Sequence, residues 1–188
     1  MKTNPKTQAD GNSSENQSAK KSFKRVSEYG KQLAEKQKVK EMYGMREKQF
    51  RRFYYLASTA TQGAPGENLL NLLERRIDNV VYRLKMATTR AQARQMIVHG
   101  HIKINGRKVT SPSCFIHVND VISLSDSALN NSALLEQVID KRMSIGIKVP
   151  EWLELLKKDR AGKVLRLPVR SDLQAPIEEY LIVEMYSK

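Results

Sequence analysis

Residues 88–109 restrict the fold of this chain more than any other stretch, because they encode a capped helix followed at once by a tight hairpin. Thr89 and Gln92 form a Thr-x-x-Gln capping box, which predicts a helix that begins near Arg90. Gly100 is well placed to end that helix in the left-handed conformation, so the helix must be short.

The hairpin is predicted by the residues that follow the glycine. Residues 101–104 alternate with a period of two, and Asn105-Gly106 is typical of a type I′ turn. Residues 107–109 then form the returning strand, and 121–124 read as a third strand. Together these elements predict a small αβ unit.

One rim of this unit is basic. Arg90 and Arg94 lie one turn apart on a narrow stripe of the helix, where two guanidinium groups match successive phosphates. His101 and Lys103 share the outer face of the hairpin. Two ordinary surface arginines are the alternative interpretation of the helix stripe.

The positive charge is concentrated early in the chain. The sequence has 33 Lys and Arg against 20 Asp and Glu, a net charge of +13, and residues 20–56 alone carry +8. Such a field attracts polyanions, and nucleic acid is the commonest of these in cells. An anionic membrane surface is the competing partner, but it requires a helix with a bulky apolar face beside the cations. We therefore favour nucleic acid and expect no membrane contact.

Residues 27–57 have a helical pattern that is broken at Gly30 and Gly44. The second piece carries two stripes at helical spacing, one that packs and one that presents cations and a ring. A merely solvated surface is the alternative for the second stripe. The packing stripe is Phe50, Phe53, Tyr54 and Ala57, and the basic stripe is Lys48, Arg51, Arg52 and Tyr55.

The other segments are predicted to be scaffold. The expected elements are a loop at 58–66, one long helix or two abutting helices at 69–84, a polar loop and helix at 126–145, a helix opened by Pro150 and broken at Gly162, and strands at 164–167 and 180–186.

Composition argues against several classes of protein. Residues 1–22 are polar and nearly free of aliphatic side chains, which predicts a disordered arm rather than a secretory or transit peptide. A single cysteine, Cys114, cannot form an internal disulfide, and three scattered histidines add no zinc site. We expect no cofactor, no metal and no membrane-spanning helix.

No catalytic constellation is visible in the sequence, so we expect no enzyme. Asp78 lies beside Arg75 and Arg76, which favours an ion pair over a catalytic role. His99 and His101 have no further ligands nearby, and they lie either on the basic rim or simply at the surface.

Several runs, in order, resemble one family. TTRAQARQMIVHGHIKINGRKV, preceded by RRIDNVVYRLKMA, is similar to the RNA-binding module named after small ribosomal subunit protein S-four. The segments beginning SEYGKQLAEKQ, GENLLNLLE and VPEWLELLK resemble the rest of that ribosomal protein family, of bacterial or organellar type. The resemblance implies an α+β fold, in which N- and C-terminal segments form a helical domain with the αβ module inserted. The expected segments are the polar arm at 1–22, the helical domain at 23–74, the αβ module at 75–125, and helices and terminal strands at 126–188 that pack back on the core.

The resemblance also implies a function. Such a protein binds small-subunit ribosomal RNA first, nucleates assembly of the 5′ domain, and lies beside ribosomal proteins S-three and S-five where mRNA enters the cytoplasmic or organellar ribosome. A free-standing regulator of a structured mRNA leader is the alternative. The four-cysteine segment that often opens the family is absent here, which makes a metal doubtful. The implied RNA-binding residues are Tyr43, Arg46, Lys48, Gln49, Arg51, Arg52, Tyr55, Arg76, Arg90, Gln92, Arg94, Gln95, His99, His101, Lys103, Asn105, Arg107 and Lys108.

Overall fold

The computed structural model describes residues 27–146, 148–173 and 175–187, which form two lobes. The predicted disordered arm at 1–22 lies outside the described residues. The helices are α1 (Glu28–Met42), α2 (Glu47–Ser58), α3 (Pro65–Glu74), α4 (Ile77–Arg83), α5 (Arg90–Val98), α6 (Asp126–Leu129), α7 (Ser132–Leu134), α8 (Lys141–Ser144) and α9 (Glu179–Tyr186), with a π-helical stretch at Leu135–Asp140 and a 3-10 turn at Arg170–Asp172. The strands are β1 (Ile102–Ile104), β2 (Arg107–Val109), β3 (Val121–Leu124), β4 (Leu153–Leu156) and β5 (Ala161–Val164).

The helical lobe consists of α1, α2, α3 and α9. Its core includes Phe50 from α2, Leu69 and Leu73 from α3, and Ile182 from α9, each fully buried. Burial of these apolar stripes holds the four helices together. Since α9 comes from the C-terminus, both ends of the described chain build this lobe, as the resemblance implied.

The αβ lobe is a five-stranded antiparallel sheet with the order β2-β1-β3-β5-β4, packed against α4 and α5. Its core includes Ile102, Ile122, Trp152 and Val164. The α+β fold class is thus confirmed. The sheet takes two strands from beyond residue 125, so the αβ lobe as folded extends from α4 to β5.

The local signals of the helix and hairpin are confirmed. The Thr89 hydroxyl accepts a hydrogen bond of 3.1 Å from the backbone N–H of Gln92. Gly100 has φ of +72°, which ends α5 in the left-handed region. Asn105 and Gly106 have φ of +49° and +78°, the two positive values that a type I′ turn requires.

Two glycines of the predicted helical segment behave differently. Gly30 lies inside α1, so the predicted break there is wrong. Gly44, with φ of +59°, does separate α1 from α2. A single glycine inside a helix costs only about 1 kcal/mol, which the packing of α1 on α9 offsets.

The helix predicted after Pro150 is wrong. The chain makes a turn there, and residues 153–156 form β4, which pairs with β5. Gly162 lies inside β5 and does not end a helix. Short apolar runs fit a helix or a strand equally well, and here pairing with a neighbouring strand decides.

The strand predicted at 180–186 is also wrong, because these residues form α9. Alternation of Leu181, Val183 and Met185 would have turned Ile182 towards solvent. In α9, Ile182 is 0% exposed and Leu181 is 5% exposed, so adjacent residues are buried. Only a helical arrangement buries both against the helical lobe.

Gly162→Ala is expected to destabilise the αβ lobe. An added Cβ would lie 2.4 Å from Leu84 Cδ2, and overpacking of this kind costs about 1 to 3 kcal/mol. Denaturant unfolding measures the loss. Gly146→Ala is the matched control, since no heavy atom lies within 4 Å of its added Cβ, and its free energy of unfolding should change by less than about 0.5 kcal/mol. Equal losses in both variants would contradict the packing.

Candidate nucleic-acid interface

An open groove of about 480 Å³ lies between the two lobes. The helical lobe contributes the start of α2, and the αβ lobe contributes α5. All the lining residues are among those that the resemblance implied for RNA contact. They are Arg46, Lys48, Gln49, Arg52 and Arg94, and we call this site the interlobe groove.

The packing of the two helices explains why these side chains face outward. In α2, Phe50, Phe53 and Ala57 are buried at helical spacing, which leaves the cationic positions on the other side. In α5, Ala93 and Ile97 are buried in the same way, and both flank Arg94. Each lobe therefore buries one stripe, which leaves Lys48 and Arg52 of α2 and Arg94 of α5 free to line the groove.

The charges in the interlobe groove are largely unneutralised. Within the described residues, Arg46, Lys48 and Arg52 form no ion pair. Arg94 Nη1 lies 3.9 Å from Asp78 Oδ2, at the outer limit for an ion pair, and its side chain is 41% exposed. Four cations around one open groove repel one another and favour a polyanion between them. This convergence favours the binding interpretation over a merely solvated surface.

Other predicted contacts are partly or fully exposed but do not line the groove. Lys103 forms an ion pair with Asp126 at 2.9 Å, which occupies its charge. Tyr55 is 67% exposed, open to stacking on a base. The exposed residues outside the groove are Arg51, Tyr55, Gln95, His99, Asn105, Arg107 and Lys108, and their role in RNA binding stays a prediction.

Two predicted contacts are corrected by burial. Tyr43 is 3% exposed and Arg76 is 0% exposed, so neither side chain reaches a surface where RNA could bind. Arg76 donates to both carboxylate oxygens of Asp78, at 3.1 and 2.6 Å. The predicted ion pair of Asp78 is thus confirmed, with Arg76 as its partner. We therefore exclude Tyr43 and Arg76 from the candidate interface.

Arg90 also turns inward. Its guanidinium carbon lies 4.9 Å from the ring centre of Tyr43 and 4.7 Å from that of Tyr82, and its Nε donates to Asn79 Oδ1 at 2.8 Å. Stacking on two rings and a hydrogen bond occupy this side chain. Arg94, one turn on, lines the groove and is the member of the pair that stays available for the predicted contact.

Of the other predicted contacts, Gln92 and Asn105 form hydrogen bonds within the fold, and His101 is half-buried. The Gln92 carboxamide oxygen accepts from the backbone N–H of Thr88 at 2.7 Å. The Asn105 amide donates to Asp120 at 2.7 Å, which ties the hairpin turn to the start of β3. His101 is half-buried, and its Nδ1 has no partner among the described residues. Gln92 and His101 are only partly exposed, whereas Asn105 is exposed, and an RNA contact of all three stays a prediction.

A buried polar network, which sequence reasoning missed, joins the lobes. Its centre is Glu74, 1% exposed, whose carboxylate accepts from the Tyr43 hydroxyl at 2.6 Å, Asn79 Nδ2 at 2.8 Å and Arg83 Nη2 at 2.8 Å. Arg90 joins it through Asn79. We call these five residues the polar junction. No motif marks it, since its members come from both lobes and meet only in the folded chain.

The polar junction is held in one charge state. Burial alone would raise the pKa of Glu74, but hydrogen bonds from Arg83, Tyr43 and Asn79 and the charge of Arg83 bring it below its ordinary value. Burial, and then the negative charge of Glu74, raise the pKa of Tyr43 well above 10.0. Glu74 is therefore charged and Tyr43 neutral over the physiological range.

The described residues offer neither a metal site nor a membrane-spanning helix. Among residues 27–146, 148–173 and 175–187, no three His, Cys, Asp or Glu side chains are placed to hold a metal ion. Cys114 is a half-buried free thiol. Nor does any helix in these ranges have the length and apolar character needed to cross a bilayer.

Comparison with known proteins gives the family. The protein-family model described as "S4 domain" matches residues 75–122. The family model described as "Ribosomal protein S4/S9 N-terminal domain" matches residues 4–74. The small ribosomal subunit protein uS4 of Halothermothrix orenii is 48% identical over 86% of this chain and 76% of its own length. The uS4 protein of Trichlorobacter lovleyi is 49% identical over 87% of this chain and 77% of its own length. The chain belongs to the uS4 family. The resemblance found in the sequence is thereby confirmed.

The two family matches show which domain each cation of the interlobe groove belongs to. Arg46, Lys48 and Arg52 lie in the segment matched by the N-terminal domain, and Arg94 lies in the segment matched by the S4 domain. The groove is thus the place where the two uS4 domains present cations to one another. A ligand that fills the groove would contact both domains.

Proposed function

We propose that this protein is a structural component of the small ribosomal subunit and that it binds small-subunit ribosomal RNA in the interlobe groove. The observation that carries the proposal is the convergence of Arg46, Lys48, Arg52 and Arg94 from two domains on one open groove. Membership of the uS4 family supplies the class of partner. The protein makes and breaks no bond, so we propose no enzymatic activity.

The chemistry of the groove suits a folded RNA. Guanidinium groups form paired hydrogen bonds with phosphate oxygens, and Lys48 adds a mobile point charge. The Gln49 amide, which donates weakly to Ser113 at 3.5 Å, is available to a 2′-hydroxyl. Because the groove spans two lobes, it selects RNA by backbone contour rather than by base sequence.

The finer assignments rest on the family and on the charge. We propose that the protein binds early during assembly, nucleates the 5′ domain, and lies beside ribosomal proteins S-three and S-five where mRNA enters the small subunit of the cytoplasmic ribosome. The charge of +8 in residues 20–56 supports early binding, because electrostatic attraction speeds association with RNA.

Salt dependence tests the electrostatic part of the proposal. If about eight phosphates are neutralised, the logarithm of the association constant for a 5′-domain transcript should fall with the logarithm of salt concentration with a slope of about −6 to −7. Filter binding over a range of potassium chloride concentrations measures it. A slope near zero would mean that phosphate contacts do not drive binding.

Sedimentation separates the proposal from its alternative. In lysates of the source cells, a ribosomal component migrates with the small subunit. A free-standing regulator of a structured mRNA leader stays in the light fractions. Recovery mainly in light fractions, with intact subunits present, would contradict the assignment to the ribosome.

A further inference from the structure

A small pocket adjoins the interlobe groove. Its volume is about 140 Å³, and it lies between α2 of the helical lobe and the loop that joins β2 to β3. Gln49 and Arg52 line both the pocket and the groove, so the two spaces are neighbours. The other lining residues are Phe53, Leu56, Ser113 and Phe115, and we call this site the side pocket.

The walls of the side pocket are mainly apolar. The ring centres of Phe53 and Phe115 lie 5.6 Å apart, and the two rings are tilted by 54°. Phe53 is buried, whereas Phe115 is half-buried and Leu56 is 41% exposed. Phosphate contacts require no apolar surface, so the cations of the interlobe groove do not account for these side chains.

Arginines at the junction of α3 and α4 hold both rings in place. The Arg75 guanidinium carbon lies 5.7 Å from the ring centre of Phe115, and that of Arg76 lies 5.4 Å from the ring centre of Phe53. The backbone N–H of Ile116 also donates to the carbonyl of Arg75 at 3.0 Å, which fixes the loop. A pocket that is already formed loses little ordering entropy when a ligand binds.

Two polar side chains complete the side pocket. The Gln49 amide donates weakly to the Ser113 hydroxyl at 3.5 Å. A hydroxyl and a carboxamide each both donate and accept, so this pair can meet the donors and acceptors on the edge of any base. Aromatic rings beside such polar groups are the surroundings in which proteins bind unstacked bases of RNA.

The cations beside the side pocket favour a nucleobase over the side chain of a partner protein. Each base is joined through its ribose to the phosphates, so a backbone held at Arg52 brings a base to the pocket. A protein side chain would instead have to enter beside four cations that attract a polyanion. The volume equals that of about five water molecules at about 30 Å³ each, which is room for one base and not for a base pair.

We propose that the side pocket binds one nucleobase that is turned out of the RNA, while the interlobe groove holds the backbone beside it. The base stacks on Phe115 and contacts Leu56, and Arg52 holds the adjoining phosphate. This inference rests on the proposed function, because the base reaches the pocket only from an RNA in the groove. It requires an unpaired nucleotide but no particular base, since stacking tolerates every base.

A variant that fills the side pocket tests the proposal in the full chain. Ser113→Phe adds a third ring there, and we expect it to weaken binding of a 5′-domain transcript about tenfold, the loss of one stacked base. The salt slope should stay at its wild-type value, because no phosphate contact is removed. Ser111→Phe is the matched control and should leave the affinity unchanged, since it adds the same ring to the same loop at an exposed position outside the pocket lining.

Chemical probing of the transcript identifies the bound nucleotide. Dimethyl sulfate and a water-soluble carbodiimide together modify the Watson–Crick edges of all four bases when these are unpaired. One unpaired base should be protected by the wild type and by Ser111→Phe, and it should react again when Ser113→Phe is bound at saturation. Phe115→Leu removes the ring but keeps an apolar side chain, and it should expose the same base. Thermal unfolding of each variant shows that the fold is retained.

Either of two results would overturn the proposal. One is equal affinity of Ser113→Phe and Ser111→Phe for the transcript. The other is the absence of any base whose protection depends on positions 113 and 115. If the wild type still shows the steep salt slope, RNA binding in the interlobe groove stands and only the side pocket fails. A wild-type slope near zero would instead contradict the proposed function itself.

Discussion

Removal of the four groove cations is expected to lower the affinity for small-subunit RNA by about a thousandfold. Each charge-assisted contact contributes about 1 kcal/mol at an exposed site, and about 1.4 kcal/mol corresponds to a tenfold change in affinity. The salt slope should also become less steep by about 3, because four phosphates are no longer neutralised. The variant combines Arg46→Gln, Lys48→Gln, Arg52→Gln and Arg94→Gln.

The control carries the same loss of charge elsewhere on the surface. It combines four exposed lysines outside the groove, Lys31→Gln, Lys141→Gln, Lys148→Gln and Lys158→Gln. We expect a much smaller loss, since these changes reduce only the general attraction to RNA. Filter binding at two salt concentrations compares the variants. Equal losses would show that the net charge, and not the interlobe groove, determines RNA binding.

Glu74→Ala is expected to produce the largest loss of stability, about 3 to 5 kcal/mol. The change leaves the Tyr43 hydroxyl, the Asn79 amide and the Arg83 guanidinium without their buried acceptor. Denaturant unfolding of the full chain measures the effect. Glu67→Ala is the matched control on the same helix, since Glu67 is exposed, and its free energy of unfolding should change by less than about 0.5 kcal/mol.

The pH dependence of the free energy of unfolding gives a second test of Glu74. Its pKa is lower in the folded chain than its ordinary value of 4.5, so its contribution to stability is present above that pH and is lost as the pH falls through the folded pKa. The difference in unfolding free energy between the wild type and Glu74→Gln should therefore shrink on acidification below about pH 4.5. A difference that stays constant with pH would mean that Glu74 is not charged in the folded protein.

Local chemistry made the central module predictable. The Thr89 cap, the left-handed Gly100 and the Asn105-Gly106 turn each act within a few residues, so the sequence alone determines them. The basic face of α2 and the outward position of Arg94 on α5 were predictable for the same reason, because buried residues at helical spacing fix the opposite face. The meeting of Lys48, Arg52 and Arg94 in one groove was not predictable, since it depends on how the lobes pack.

The failures have one physical cause. The residues at 153–156 and 180–186 take their structure from what they pack against, namely β5 and the helical lobe. Tyr43 and Arg90 look like surface contacts in the sequence, but the buried Glu74 and Asn79 draw them into the polar junction. In each case residues outside the segment itself decided the outcome, from the adjacent strand β5 to the more distant Glu74.

Directed cleavage of RNA from the rim of the groove tests the central claim most directly. Cys114 is the single cysteine, so a Cys114→Ala background allows an iron chelate to be attached at Gln95→Cys, which is exposed and adjacent to Arg94. Ala34→Cys, exposed on α1 and outside the groove lining, serves as the comparison. In reconstituted small subunits, hydroxyl radicals from position 95 should cut the 5′ domain of the ribosomal RNA more strongly than radicals from position 34. Cleavage that is absent from position 95, or equally strong from both positions, would contradict RNA binding in the interlobe groove.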